Sequence, residues 1–264
     1  MITSTSNQQM KTIVQLNKKA KARRELRAFV VEGVKMFRET PPDLLQRVYV
    51  SEQFFKNEEN YACLVKSGIN YELVSDSVFA HVSDTNTPQG ILAVVRQPVY
   101  EFSDLLQAEH TRLLVLEDIQ DPGNLGTMFR TGEGAGLTGI IMSRESVDLF
   151  SPKTVRATMG SIYRMPFYVA EDLHEAITAL REAGVRTYAA HLRGEKYYDE
   201  PDYTGPTAFL IGNEGNGLKQ ETADLADTYL KIPMEGQLES LNAAMAAGIL
   251  MYEAHRQCRH ASEL

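Results

Sequence analysis

Cysteine is scarce: Cys63 and Cys258 are the two in 264 residues, and they lie far apart in the chain. They supply no disulfide framework and no thiolate metal site, and a reducing cytosol is the simplest setting. No apolar run approaches the roughly 18 residues that would span a bilayer, so no membrane association is expected. The opening MITSTSNQQMKTIVQ lacks the apolar core of a signal peptide. Internal repeats and low-complexity tracts are also missing. What is present is length enough for one large domain or two small ones, with hydrophobic residues at 43%.

The net charge of −8 argues at first against a nucleic-acid partner. Its distribution softens that. Residues 1–40 carry nine Lys or Arg against three Glu, a balance of +6, which leaves −14 on the remainder. A basic head on an acidic body can still steer toward phosphates. The competing reading, which charge alone slightly favours, is a solvated helix face rich in Lys and Arg.

The first hundred residues alternate between helical and strand patterns. MKTIVQLNKKAKARREL reads as one basic helix, FVVEG as a strand, GVKMFRE as a short helix and RVYVS (47–51) as a second strand. Residues 52–67 read as a helix ending at Gly68. YELVS and ILAVVR are further strands, with Asp76–Val82 helical between them. This pattern predicts a small α/β domain over 1–97. RQPVYEFSDLLQAEH contains the linker, assigned to 98–111, with Phe102–Leu106 free to dock on a neighbour.

From Arg112 the alternation restarts and runs to the end. LLVLED, GIIMS, FYVA, VRTYAAHL and TAFLIG are strands, and TYLKIPM is a short strand or extended segment. A helix starts near Asn124. Ser151-Pro152 reads as N-cap and first position of another. DLHEAITALREAG is amphipathic and closed by Gly184, and residues 239–257 form the last helix. Strands alternating with helices predict a largely parallel sheet covered on both faces, in a domain spanning 112–264.

Three segments rich in glycine and asparagine each follow a buried strand, at the edge where open α/β sheets bind ligands. The first is DPGNLGTMFR (121–130). Asn124 and Arg130 are six residues apart, about 600° of helix rotation, so they converge only if Asn124 precedes the helix. An Asn N-cap and a surface Arg would explain the segment equally well. The glycines at 132, 134 and 136 have the wrong spacing for a dinucleotide loop and suit close packing and helix termination instead. The second is FLIGNEGNGL (209–218), a loop with many exposed peptide groups around Glu214. The third is IPMEGQLESLN (232–242), followed by AAMAAGILMYEA. There Leu241, Met245, Gly248, Ile249 and Tyr252 share one helix face, and small residues would let another backbone approach closely. Ser240 and Asn242 could simply be cap residues.

Taken together and in this order, the three segments resemble the three motifs of the SpoU (TrmH-like) family in the SPOUT superfamily of methyltransferases. The resemblance runs from Arg112 to the end, and IPMEGQLESLNAAMAAGI is its most specific part. Ser151-Pro152-Lys153, Arg156 and Met159-Gly160-Ser161 share it. Ala243-Ala244-Met245 departs from the Val-Ser-Val type of tripeptide usual there. The N-terminal part is similar to the family's small substrate-binding domain.

The resemblance implies a C-terminal α/β domain closed by a trefoil knot, a homodimer, and S-adenosylmethionine as cofactor. Main chain around Leu210, Gly212, Ile232, Met234 and Leu241 would hold that cofactor. The reaction implied is methylation of a ribose 2′-hydroxyl in RNA. The sulfonium is already a good leaving group, so no metal is called for. Arg130 matches the residue assigned to activating the hydroxyl. A free guanidinium is a poor base, so Arg130 is read as binding the target phosphate and stabilising the developing alkoxide, with Asn124, Glu214, Ser240 and Asn242 orienting it and the ribose. Lys18, Lys19, Arg23 and Arg24 are the candidate RNA contacts of the basic head. Ribosomal RNA is favoured over transfer RNA, because a separate RNA-binding domain suits a large structured substrate, and the setting is cytoplasmic. Two rivals remain. A dehydrogenase-like enzyme would need a phosphate-binding G-x-G-x-x-G after its first strand, and none is present. A non-catalytic RNA-binding protein of the same fold would be expected to have lost Arg130 or the Asn242 segment.

Overall fold

The computed structural model describes residues 1–108 and 110–261. The elements run, in chain order, α1 (Gln8–Lys18), α2 (Ala20–Leu26), β1 (Ala28–Glu32), α3 (Val34–Glu39), β2 (Leu45–Ser51), α4 (Glu52–Lys56), α5 (Glu58–Ser67), β3 (Glu72–Val74), α6 (Asp76–Val82) and β4 (Ile91–Arg96). Then come β5 (Arg112–Leu116), α7 (Pro122–Ala135), β6 (Gly139–Ser143), α8 (Pro152–Thr158), β7 (Phe167–Ala170), α9 (Leu173–Glu182) and β8 (Arg186–Ala190). The chain closes with β9 (Lys196–Tyr197), β10 (Thr207–Ile211), α10 (Gln220–Ala223), β11 (Thr228–Lys231) and α11 (Ala243–Ala261). Two compact units result. One holds Met1–Pro98 with Asp148–Tyr163, and the other holds Val99–Val147 with the chain from Arg164 onward.

The first unit is built on a mixed sheet in the order β1-β4-β2-β3, with β4 antiparallel to both neighbours and β2 parallel to β3. Met10, Ile13 and Leu16 line one face of α1 and bury against Val30, Tyr49, Phe79 and Leu92. This three-residue spacing is the apolar stripe an amphipathic helix needs. α8 packs on β1, and the Phe150 ring lies 5.0 Å from that of Phe29.

The basic stretch read as one helix is two. The chain turns extended at Lys19, and the Arg23 guanidinium reaches back to the end of α1, donating to the carbonyls of Leu16 (2.6 Å) and Asn17 (3.2 Å). The same guanidinium pairs with Asp148 at 2.7 Å, and Arg23 is only 5% exposed. Arg23 therefore has no free face for RNA, which corrects its assignment as an RNA contact. Lys18, Lys19 and Arg24 are exposed. The helix expected over 52–67 also breaks, at Asn57, whose side chain accepts the Asn60 N–H (3.0 Å) and caps α5.

The second unit is a seven-stranded sheet in the order β7-β6-β5-β10-β8-β11-β9, parallel throughout. Leu113, Val115, Ile141, Ile177 and Leu210 belong to its core, joined by Leu105 from the short 3₁₀ turn Phe102–Leu106. α7 ends where the glycine run suggests. Gly136 takes a left-handed conformation at φ 74° and its N–H caps the carbonyls of Gly132 and Glu133. β9 and α10 are too short to carry a readable period.

α11 starts at Ala243, later than the sequence pattern suggests, because Asn242 is its N-cap. The Asn242 side-chain oxygen accepts the N–H groups of Ala244 (2.9 Å) and Met245 (3.2 Å). Its buried face is Ala244, Ala247, Leu250, Met251 and Ala254, turned to α7 and β10. On the face shared by Leu241, Met245, Gly248, Ile249 and Tyr252, the large side chains Met245 and Tyr252 are 60% and 50% exposed. The small residues thus serve a close approach within the chain. Gly248 lies against Thr131, and a Cβ on Gly134 would meet the Tyr252 hydroxyl at 3.2 Å. Among the described residues, no helix is long and apolar enough to cross a membrane.

Candidate active site

The three motif segments leave β5, β10 and β11 at the same edge of the parallel sheet, its carboxyl edge. Asn124, Glu214 and Asn242, one from each, meet there. Asn242 donates its amide N–H to the Asn124 side-chain oxygen at 3.0 Å. Asn124 in turn donates to a Glu214 carboxylate oxygen at 3.0 Å. Glu214 also accepts the peptide N–H groups of Gln120 (3.0 Å) and Asp121 (2.9 Å). Burial alone would raise this carboxyl, but the donors from Gln120, Asn124 and Asp121 outweigh it and hold it below the ordinary glutamate value. Around the chain of bonds lies an open cleft of about 670 Å³, lined by Gln120, Asp121, Asn124, Glu214, Asn242 and Ala243.

The structure does not bring Arg130 or Ser240 into this network. α7 begins at Pro122 with Asp121 as N-cap, its Oδ1 accepting the Asn124 N–H at 2.8 Å. Asn124 is therefore already helical, and Arg130 points elsewhere, about 9 Å further along the helix axis. Its side chain is exposed and, among the described residues, no hydrogen bond or ion pair holds it. Ser240 is exposed in the extended stretch before the Asn242 cap. Leu210, expected at the cofactor, is a core residue with strand neighbours on both sides, Val115 and Ala189. It has nothing to offer a ligand.

Gly212, Ile232, Met234 and Leu241 are better placed. A Cβ on Gly212 would sit 2.0 Å from the Leu218 nitrogen, so no side chain fits as the loop closes on itself through paired Asn213–Gly217 hydrogen bonds. Residues 232–241 form no helix or strand and, among the described residues, make no backbone-to-backbone hydrogen bond. Ile232, Met234 and Leu241 are half-buried there. Peptide groups that make no bond within the chain are free to bind a ligand or water.

Sequence reasoning missed several residues that shape the site. Asp121 caps α7. Asn213 donates to the Asp118 carbonyl (2.8 Å) and accepts the N–H groups of Gly215 (2.9 Å) and Asn216 (3.1 Å). The Asp121-Pro122 pair carried the same cap signal as Ser151-Pro152. Nothing local marked Asn213 among so many turn residues.

Comparison with known proteins places the chain in a family. Residues 111–252 match the SpoU rRNA Methylase family, and residues 7–93 match the MRM3-like substrate binding domain. The chain belongs to the SpoU family of RNA methyltransferases. It is similar to the 23S rRNA (guanosine(2553)-2′-O)-methyltransferase RlmP of Bacillus subtilis, at 34% identity over 95% of this chain and 97% of that protein. Among solved structures, an AdoMet-bound rRNA methyltransferase from Sinorhizobium meliloti superimposes with a TM-score of 0.82, at 34% identity and 97% coverage of both chains. AviRb from Streptomyces viridochromogenes, in complex with AdoMet, gives 0.84 at 26% identity, covering 95% of this chain and 98% of its own. This SpoU protein is an S-adenosylmethionine-dependent RNA 2′-O-ribose methyltransferase.

Proposed function

We propose that this methyltransferase modifies a ribose in ribosomal RNA, working from the cleft where Asn124, Glu214 and Asn242 meet. The observation that carries the reading is the Asn242–Asn124–Glu214 hydrogen-bond chain, which joins the three motif segments in one arrangement. Gly212, Ile232, Met234 and Leu241 would hold S-adenosylmethionine through their main chain. Bound there, the cofactor supplies a methyl group on a sulfonium, ready to be displaced by the ribose oxygen.

The residues of the chain align the attacking oxygen and ease loss of its proton. Glu214 is a poor base, since three N–H donors hold its carboxylate below the ordinary glutamate value. Its role is to orient Asn124 and the turn at Gln120 and Asp121. Arg130, exposed and uncommitted, binds the phosphate of the target nucleotide and stabilises the alkoxide as it forms. Ser240, exposed beside Leu241, contacts the ribose once substrate is bound.

The N-terminal domain, over 1–97, supplies RNA affinity through Lys18, Lys19 and Arg24, and the link at 98–111 leads into the methyltransferase domain, docked on its core through Leu105. The outward face of α11 forms a homodimer contact, and the chain after β11 closes a trefoil knot. The enzyme acts in the cytoplasm. Ribosomal RNA is favoured by the S. meliloti and B. subtilis relatives, whose described substrates are rRNA. Mapping 2′-O-methyl sites in total RNA, with and without the gene, tests the reading. One ribosomal site should vanish with the gene. Loss confined to transfer RNA would move the target, and no loss anywhere would refute the proposal.

A further inference from the structure

Glu117 is a buried acid, 4% exposed, that the reaction does not use. It directly follows β5, and its own N–H extends the pairing to the Ile211 carbonyl at 2.9 Å. Its carboxylate accepts the Lys219 peptide N–H (2.8 Å) and the Thr222 hydroxyl. The Thr222 oxygen lies 2.9 Å from His174 Nε2. A hydroxyl has one proton, so with Thr222 donating to Glu117, His174 must donate from Nε2.

Lys219 completes the arrangement. Its ammonium lies 2.8 Å from an Asp118 carboxylate oxygen and 3.8 Å from Glu117. Asp118 stands in a left-handed conformation at φ 53°, which few non-glycine residues adopt without support. Its carboxylate also accepts the Ser143 hydroxyl at 2.9 Å, and its carbonyl accepts from Asn213. The glycine-rich loop is thus fastened at both ends to the segment after β5. Asn213 holds the start to Asp118, and Lys219 holds the finish to Glu117 and Asp118. Glu214 lies between these two anchors.

We propose that Lys219 and Glu117 are positioning residues for methyl transfer, fixing the loop so that Glu214 meets Asn124 and the Gln120 and Asp121 peptides. This rests on the site assigned above, but neither residue lines that cleft. The Lys219–Asp118 contact raises the lysine and helps hold Asp118 below the ordinary aspartate value against its burial. The pair is therefore charged at neutral pH and its attraction is present when the enzyme works. A lysine serving only RNA binding would act differently. Its removal would raise the KM for RNA and flatten the salt dependence while leaving turnover alone.

The test uses the full-length enzyme as wild type, Lys219→Met, Lys219→Arg, Glu117→Gln and, as a separate check on the site, Glu214→Gln. Methyl transfer from labelled S-adenosylmethionine is measured on total RNA from a strain lacking the gene. Amide exchange is followed at Gln120 and Asp121. Lys219→Met should lower kcat about tenfold, in line with the cost of small misplacements, with the apparent KM for RNA within about twofold. Exchange at Gln120 and Asp121 should rise in Lys219→Met and Glu117→Gln, and Lys219→Arg should recover most of both readouts. Unchanged exchange at those two amides would overturn the proposal, as would a raised KM with normal kcat. Normal turnover in Glu214→Gln would remove Glu214 from the reaction, yet the exchange readout would still decide whether Lys219 and Glu117 hold the loop.

Discussion

Asn242 faces two ways: its amide N–H goes to the Asn124 oxygen at 3.0 Å, while its own oxygen caps α11 through Ala244 and Met245. The two roles are separable. Serine caps a helix about as well as asparagine, but it is too short to keep the link to Asn124. Asn242→Ser should leave the urea midpoint nearly unchanged and lower kcat about tenfold. Asn242→Ala should lose the cap as well, at about 1 kcal/mol. Full turnover in the serine variant would show that the Asn124 link does not matter to the reaction.

The Arg130 side chain has no partner among the described residues and packs into no core. Arg130→Ala should therefore leave the unfolding transition where it is and keep cofactor affinity within a few-fold, while abolishing methyl transfer. Calorimetry with S-adenosylmethionine and a single-turnover assay check the two halves. Near-normal turnover would take Arg130 out of the mechanism.

How much of this was legible in the sequence differs between segments. The strands were readable because β5, β6 and β10 are unbroken apolar runs, buried on both faces as parallel strands must be. The breaks at Lys19 and Asn57 were not. The first depends on Arg23 reaching back to the carbonyls of Leu16 and Asn17 while it pairs with Asp148, 125 residues further on, and the second on one Asn capping from within a helical pattern. At the site, the motifs named Asn124, Glu214 and Asn242. Where Asn124 sits on α7 relative to Arg130 followed only from Asp121 capping the helix earlier than expected. The buried face of α11 was not legible because Ala244, Ala247 and Ala254, which pack there beside Leu250 and Met251, are too small to dominate a hydrophobic pattern.

Glu214 and Asp118 both titrate below their ordinary values in the folded protein. Depressed carboxyls contribute stability that is fully present above the unfolded value and is lost as pH falls through the folded one. Stability should hold from neutral pH down to the ordinary carboxylate range and then decline. Glu214→Gln should lower stability at neutral pH and shallow that acid decline. Asp202, Asp227 and Glu253 are depressed too, so part of the slope must survive. Urea midpoints across an acid series measure it. An acid limb as steep in the variant as in wild type would mean that the Glu214 hydrogen bonds contribute nothing to the folded state.

The basic head separates into two kinds of charge. Lys18, Lys19 and Arg24 are exposed, whereas Arg23 is buried against Asp148. Neutralising the first three should weaken RNA binding and flatten its log–log salt dependence by about 0.7–0.9 for each phosphate no longer neutralised, with no change in stability. Arg23→Ala should do the reverse, costing about 3 kcal/mol by stranding Asp148 and the carbonyls ending α1. Binding at several salt concentrations, paired with urea unfolding, distinguishes them. An unchanged slope in the triple variant would show that this segment does not touch RNA.

The outward face of α11 bears on assembly. Met245, Ile249 and Tyr252 are spaced four and three residues apart and so lie on one side of the helix. Met245 and Tyr252 are large apolar side chains left 60% and 50% exposed. A helix that already buries Ala247, Leu250, Met251 and Ala254 on its inner side has no further need of large apolar residues outside. Such a stripe on a folded surface suits a second copy of the chain, and a two-fold contact would bring the same stripe from each copy together. Light scattering at micromolar concentration should give twice the chain mass. Met245→Glu combined with Tyr252→Glu should give the single-chain mass, because two buried, unpaired carboxylates would have to face their own symmetry copies. The double variant should keep its unfolding midpoint in the monomeric state, since neither side chain is part of the core. A wild-type monomer that retains activity would refute the dimer, and a double variant that stays dimeric would place the contact on another face.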